Sequence, residues 1–125
     1  PTKIKVPVYN LAAREDHIAP LPSVFKLGQI FSGDTKLVVA GSGPIAGVVN
    51  PPESGKYQYW TNSENPDNLD DWLAGANEHA GSWWPDWIEW GGKLSGKKVE
   101  ARTPGDGKLK VIEDAPGSYV KQRSD

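Results

Sequence analysis

The stretch TKLVVAGSGPIAGVVNPP, residues 35–52, constrains the chain most. Leu37, Val38, Val39 and Ala40 are consecutive and apolar. The run is too short for a stable helix and is rich in β-branched residues, so it reads as a buried strand. Gly41-Ser42-Gly43-Pro44 follows at once and must end it. A second apolar run then meets the double proline at 51–52. Strand-to-turn junctions of this kind often carry a working side chain. Here the residue at the tip is Pro44, which has no group to give or take a proton.

The text before this junction sets its context. Residues 3–13, KIKVPVYNLAA, alternate at Ile4, Val6 and Val8 and become wholly apolar from Leu11 to Ala13. That predicts a strand buried at its far end. Pro7 cannot donate a ladder hydrogen bond, so the first half lies at an edge or stops early. Arg14-Glu15-Asp16-His17 follows and then two prolines, which reads as a loop leaving the strand's carboxyl end. Residues 22–31 place Val24, Leu27 and Phe31 at helical spacing, with Pro22 in the first turn. Strand, loop, helix, strand is a βαβ unit, which implies a parallel pair with a right-handed crossover. Chemistry in open α/β sheets sits off the carboxyl ends of the strands. The two loops, with Asp16 and Pro44, are therefore expected on one sheet edge.

The second half is less periodic. Residues 51–64 predict an ordered loop if Tyr57, Tyr59 and Trp60 pack. Asn65-Pro66 reads as an N-cap and first helical residue, with Leu69, Trp72, Leu73 and Ala76 forming one face and EHAGS ending that helix. Ser82 caps a second helix on which Trp83, Trp87 and Trp90 share a face, and Gly91-Gly92 weakens or ends it. The tail from 93 is rich in Lys and Gly, with one strand-like run, KLKVIE, and an end, APGSYVKQRSD, that looks extended.

Composition excludes several classes. The net charge is −2 and no basic stripe interleaves the aromatics, so no nucleic-acid face is indicated; GKK at 96–98 reads as a solvated turn. There is no cysteine, hence no disulfide, no thiolate metal site and no Cys nucleophile in these residues. No apolar stretch is long enough to cross a membrane as a helix. The chain also lacks Met, which reads as an excised or trimmed piece.

Asp16 is the first candidate site residue. A carboxylate just past a buried parallel strand can orient an imidazole and stabilise its charge. In hydrolase-like sheets a helix and a strand separate the acid from the histidine. The spacing from Asp16 to Pro44 fits that interval. The plainer alternative is a loop Asp capping the next helix or bonding backbone amides. His17 and His79 are the two histidines, and both read as solvated or hydrogen-bonded imidazoles, not as metal ligands. The six Trp read as packing or docking contacts in preference to a sugar platform or cation cage.

The strings AREDHIAP, GSGPIAGVVNPP, YWTN, WLAGANEHAGSWWPDW and APGSYVK, in this order, resemble the C-terminal part of the catalytic domain of polyhydroxyalkanoate synthases, class I above all. The resemblance spans residues 3 to 122 and is weakest at 93–110. It implies an α/β fold, the C-terminal portion of an α/β-hydrolase-like domain over 1–92, with 93–125 its extension. It also implies transfer of 3-hydroxyacyl groups from coenzyme A thioesters to a growing polyester, with no cofactor beyond that thioester. A Cys nucleophile, an Asp and a His do this work in the family, at the surface of cytoplasmic polyester granules. Asp16 matches the family's Asp. Pro44 stands where the family pattern SGHIAG has its His. With neither thiol nor base, this chain is expected to be inactive alone, its partners being the remainder of a synthase or a homodimer mate. The alternatives are a non-catalytic synthase-like partner or granule-binding module and, last, another hydrolase-like esterase or depolymerase.

Overall fold

The computed structural model describes residues 1–124. It places two units, 1–95 and 96–125. Among the described residues the strands all lie in the first, and they form one four-stranded sheet.

β1 (Val8–Ala13) and β2 (Thr35–Ala40) lie side by side and parallel, from Val8 opposite Thr35 to Ala13 opposite Ala40. α1 (Leu21–Gly28) connects them. This is the βαβ unit the sequence predicts. The strand is shorter than the alternating run at its start. Ile4 and Val6 are exposed, and the Ile4 carbonyl instead accepts the Ser32 and Gly33 amides at 3.1 Å. Pro7, with no N–H, stands where the ladder begins.

The sheet then departs from the parallel expectation. β3 (Gln58–Thr61) pairs antiparallel with β2, and β4 (Asn77–Ala80) pairs antiparallel with β3. The sheet is mixed, in the order β1-β2-β3-β4. β3 lies inside a segment read from sequence as loop. β4 lies where EHAGS reads as a helix end. Asn77-Glu78-His79-Ala80 has no apolar alternation, because it is a mostly exposed edge strand. Its pairing with β3, not its own pattern, makes it extended.

The helices also shift. α1 stops at Gly28, and it buries Leu21, Phe25 and Gly28, leaving Leu27 exposed. Its sequence face of Val24, Leu27 and Phe31 is thus rotated by about one position. α2 (Leu69–Ala74) starts three residues later than Asn65 would allow: Asn68 is the N-cap, and its side chain accepts from the Asp71 amide at 2.8 Å. Trp72 of α2 is buried and Leu73 exposed. α3 (Trp84–Leu94) runs through Gly91-Gly92, and Ser82 Oγ accepts the Trp84 amide at its start.

Alternation along the strands divides the sheet into two faces. Ala12, Leu37 and Val39 point to one face and join Leu21, Phe25 and Trp72 in the apolar core. Tyr9, Lys36 and Val38 point the other way, toward α3. There Asp86 accepts from Tyr9 Oη at 2.8 Å and holds Lys36 Nζ at 2.7 Å. The Tyr9 ring meets Trp83 and Trp90, with centroids 6.1 and 5.3 Å apart. α3 therefore attaches through a half-buried polar and aromatic layer.

Residues 96–124 contain no strand. Leu109, Val111 and Ile112 of the strand-like run are exposed, and the run forms no strand. The tail is not uniformly extended either: Tyr119–Lys121 forms a 3-10 turn, and Ser118 Oγ donates to Glu113 at 3.0 Å.

Candidate functional site

The bends after β1 and β2 are held together by backbone. Past the last paired residues, the Arg14 amide donates to the Ala40 carbonyl at 2.8 Å and the Glu15 amide to the Ser42 carbonyl at 3.1 Å. Asp16 is the next residue on one bend, and Pro44 stands two residues beyond Ser42 on the other. The expectation that these loops share one sheet edge therefore holds.

Asp16 itself makes a local turn. Its Oδ1 accepts the amides of Ile18 at 2.8 Å and Ala19 at 3.0 Å. These bonds, Ala19 foremost, hold the carboxyl below the usual carboxylate range. It is the arrangement of the plainer reading, an Asp that orders its own loop. Both bonds fall on Oδ1, so Oδ2 is the oxygen left for a further donor.

The second bend is tightly wound. Ser42 has φ 66°, in the left-handed region. From Gly43 the chain curls helically: the Gly47 amide donates to the Gly43 carbonyl at 3.0 Å, and the Val49 amide to Ile45 at 2.8 Å. The curl folds back on the strand end so closely that a Cβ on Gly47 would lie 1.9 Å from the Gly41 carbonyl oxygen. Only glycine fits there. Pro44 sits at the base of this curl, half-buried, and offers no N–H and no ionisable group.

The far end of the curl meets the tryptophans. Trp83 and Trp84 both donate their indole N–H to the Val48 carbonyl, at 3.1 and 3.0 Å. Beside them Val48, Val49, Trp83, Trp84 and Trp87 line an open apolar depression of about 280 Å³. Trp83 and Trp90 pack on Tyr9 as the helical spacing implies, while Trp87 stays half-exposed.

Neither histidine stands in for a base at position 44. His17 is exposed beside Asp16. His79 lies in β4, not past a helix end; its ring stacks on Tyr59 at 4.8 Å and its Nε2 is 2.8 Å from Thr61 Oγ1. Three strand spacings separate the end of β1 from His79, roughly 14 Å, against the roughly 3 Å a hydrogen bond requires. Among the described residues no group of three or more metal-ligating side chains is disposed to hold an ion, and no helix is long and apolar enough to cross a membrane.

Two features escape the sequence reading. One is the Tyr9–Asp86–Lys36 cluster; its only signal is a lysine at the second position of a strand otherwise turning apolar. Burial, the bond to Asp86 and that carboxylate's charge push the Tyr9 phenol far above its ordinary pKa. The other is the indole pair on Val48, for which adjacent tryptophans give no distinctive spacing.

The chain thus presents an α/β sheet whose parallel pair ends in two hydrogen-bonded bends. No family model matches the chain. Among curated proteins it is 52% identical over 121 residues to the poly(3-hydroxyalkanoate) polymerase subunit PhaC of Rhizobium etli, covering 97% of this chain and 19% of that protein. It is 49% identical to the poly(3-hydroxyalkanoate) polymerase of Methylorubrum extorquens, over 98% of this chain and 20% of that one. It is 42% identical to the PhaC subunit of Cupriavidus necator, over 97% and 21%. The resemblance read from the strings above is thus borne out along nearly the whole chain. The chain spans about a fifth of the length of the curated relatives it matches.

Proposed function

We propose that this chain is the segment of a polyhydroxyalkanoate polymerase-type acyltransferase that carries the acid and the base position of its catalytic triad, and that Pro44 leaves the base position empty. The observation that carries this reading is the pairing of the two bends, Arg14 to Ala40 and Glu15 to Ser42, which brings Asp16 and Pro44 to neighbouring loops. A βαβ unit with its acid after the first strand and its base after the second fits the end of an α/β-hydrolase-like frame. The nucleophile in this reading is a Cys supplied from outside these residues. The substrate is a 3-hydroxyacyl thioester of coenzyme A, and the acceptor is a growing polyester at a granule surface.

The chemistry explains the expected inactivity. A thiol must lose its proton to attack the thioester, and the departing coenzyme A thiolate must regain one. An imidazole oriented by Asp16 does both. Proline does neither, and loss of one triad member costs about four to six powers of ten in rate.

The test replaces the matching segment of the Rhizobium etli polymerase with this chain, in the Pro44 form and as Pro44→His. Coenzyme A release from 3-hydroxybutyryl-coenzyme A is then followed by thiol titration. The Pro44 chimera should release none above background, and the Pro44→His chimera should recover release that Asp16→Asn again reduces. A folded Pro44→His chimera no faster than the Pro44 form would reject the assignment.

A further inference from the structure

The curl at 43–49 packs back on the strand end through Gly47, but its outer side is uncovered. Ile45 is 78% exposed and Val49 64%. It leaves β2 through a strained residue, Ser42, and closes only two helical hydrogen bonds. Its far end is nonetheless fixed twice, because the Val48 carbonyl receives the indole N–H of both Trp83 and Trp84. The two rings stand at 71° with centroids 6.4 Å apart, so they approach one oxygen from different directions. A carbonyl has two acceptor lone pairs, and one donor satisfies it. A second donor from another direction removes the freedom to swing about the first. The tryptophans are anchored in turn: Trp83 packs on Tyr9, and Asp86, one helical turn on, ties α3 to Tyr9 and Lys36.

We propose that Trp83 and Trp84 are positioning residues that clamp the 43–49 curl to α3 through the Val48 carbonyl and so hold position 44 at the Asp16 bend. This rests on the reading of position 44 as the base position. The clamp acts through N–H groups, not through ring area. A base misplaced by about 1 Å can cost on the order of a hundredfold in rate, so a restraint on the uncovered side of the curl bears directly on position 44.

Phenylalanine keeps an apolar ring and removes the donor, so Trp83→Phe and Trp84→Phe isolate the clamp. Two readouts in this chain apply. The first is amide exchange at Gly47 and Val49, whose bonds close the curl; the double variant should exchange at least about tenfold faster there, with strand amides unchanged. The second is the NMR titration of the imidazole introduced by Pro44→His. A carboxylate nearby raises such a pKa above ~6.5, and Asp16→Asn should lower it again; the Trp83→Phe/Trp84→Phe background should at least halve that Asp16 dependence. Should the double variant lose its fold, each single variant is read instead, with a smaller effect of the same sign. Trp90→Phe, which removes an indole that neither bonds Val48 nor lines the depression beside it, is the control and should move neither readout.

Unchanged Gly47 and Val49 exchange in folded Phe variants would overturn the clamp, as would an Asp16 dependence that the Phe variants leave intact. If exchange quickens but Asp16→Asn never moves the imidazole pKa, the clamp stands and the base reading fails.

Discussion

The two faces of the sheet are built on different physics. The α1 and α2 face is an apolar core: Ala12, Leu21, Phe25, Leu37 and Val39 close around Trp72, and no ionisable group enters that cluster. The α3 face has the same strands behind it but carries Tyr9, Lys36 and Asp86 in one hydrogen-bonded group, with Trp83, Trp87 and Trp90 arrayed beside it. Tryptophan does both jobs. Trp72 is 1% exposed and Trp87 48%. Burial is non-directional, so the first face supplies stability wherever the volumes fit. Hydrogen bonds are directional, so the second face sets where α3 lies, and with it the curl at position 44.

If that contrast is right, Trp72→Ala should have the largest effect. Emptying a buried Trp site costs about 3–5 kcal/mol, a large share of the 5–15 kcal/mol typical of a domain. A urea midpoint lowered by less than about a fifth would break the idea that this face carries the stability. Asp86→Ala should cost less, about 1–3 kcal/mol, because it strands the Tyr9 hydroxyl and the Lys36 ammonium while both retain some access to water. Its signature is selective: amides of α3 should lose protection before those of β1 and β2. Uniform loss would mean that the polar face is no separate anchor.

The smallest effect is pH-dependent. The Tyr9 phenol is raised by burial first and then by Asp86. Its proton is therefore held more tightly in the folded chain than in the unfolded one. The resulting stabilisation is complete below the unfolded value, about pH 10, and declines as pH rises beyond it. The melting midpoint should fall shallowly above pH 10, and Tyr9→Phe should flatten that fall. Tyr59, raised by its own burial, leaves a residual slope. A Tyr9→Phe variant with the same alkaline slope would remove Tyr9 from the account.

The legible parts of this fold share one property: the signal lies within the segment. β2 is a continuous apolar run, and β1 ends in one, so their buried faces were visible without partners. Gly47 could be seen only as one glycine among many; the 1.9 Å approach to the Gly41 carbonyl that requires it depends on how the curl folds back. β4 carries no such signal, because an exposed edge strand needs no apolar alternation. Gly91-Gly92 did not end α3, because Trp84 to Trp90 already commits that helix to the sheet through Asp86 and Tyr9. The two bends of the candidate site are legible as the Asp16-to-Pro44 spacing and as family strings, but the bonds that join them are not.

Residue by residue, the sequence determined the chemistry available here: a carboxylate at 16, no base at 44, no thiol anywhere, and a βαβ unit to carry the two positions. The tertiary structure alone decided that β3 and β4 extend the sheet antiparallel, that Asp86 joins Tyr9 to Lys36, and that two indoles meet on one carbonyl. The reason is range. Local steric preference and hydrophobic period act within a few residues, whereas strand pairing and directional hydrogen bonds join groups as far apart as Tyr9 and Asp86, whose meeting depends on the whole fold.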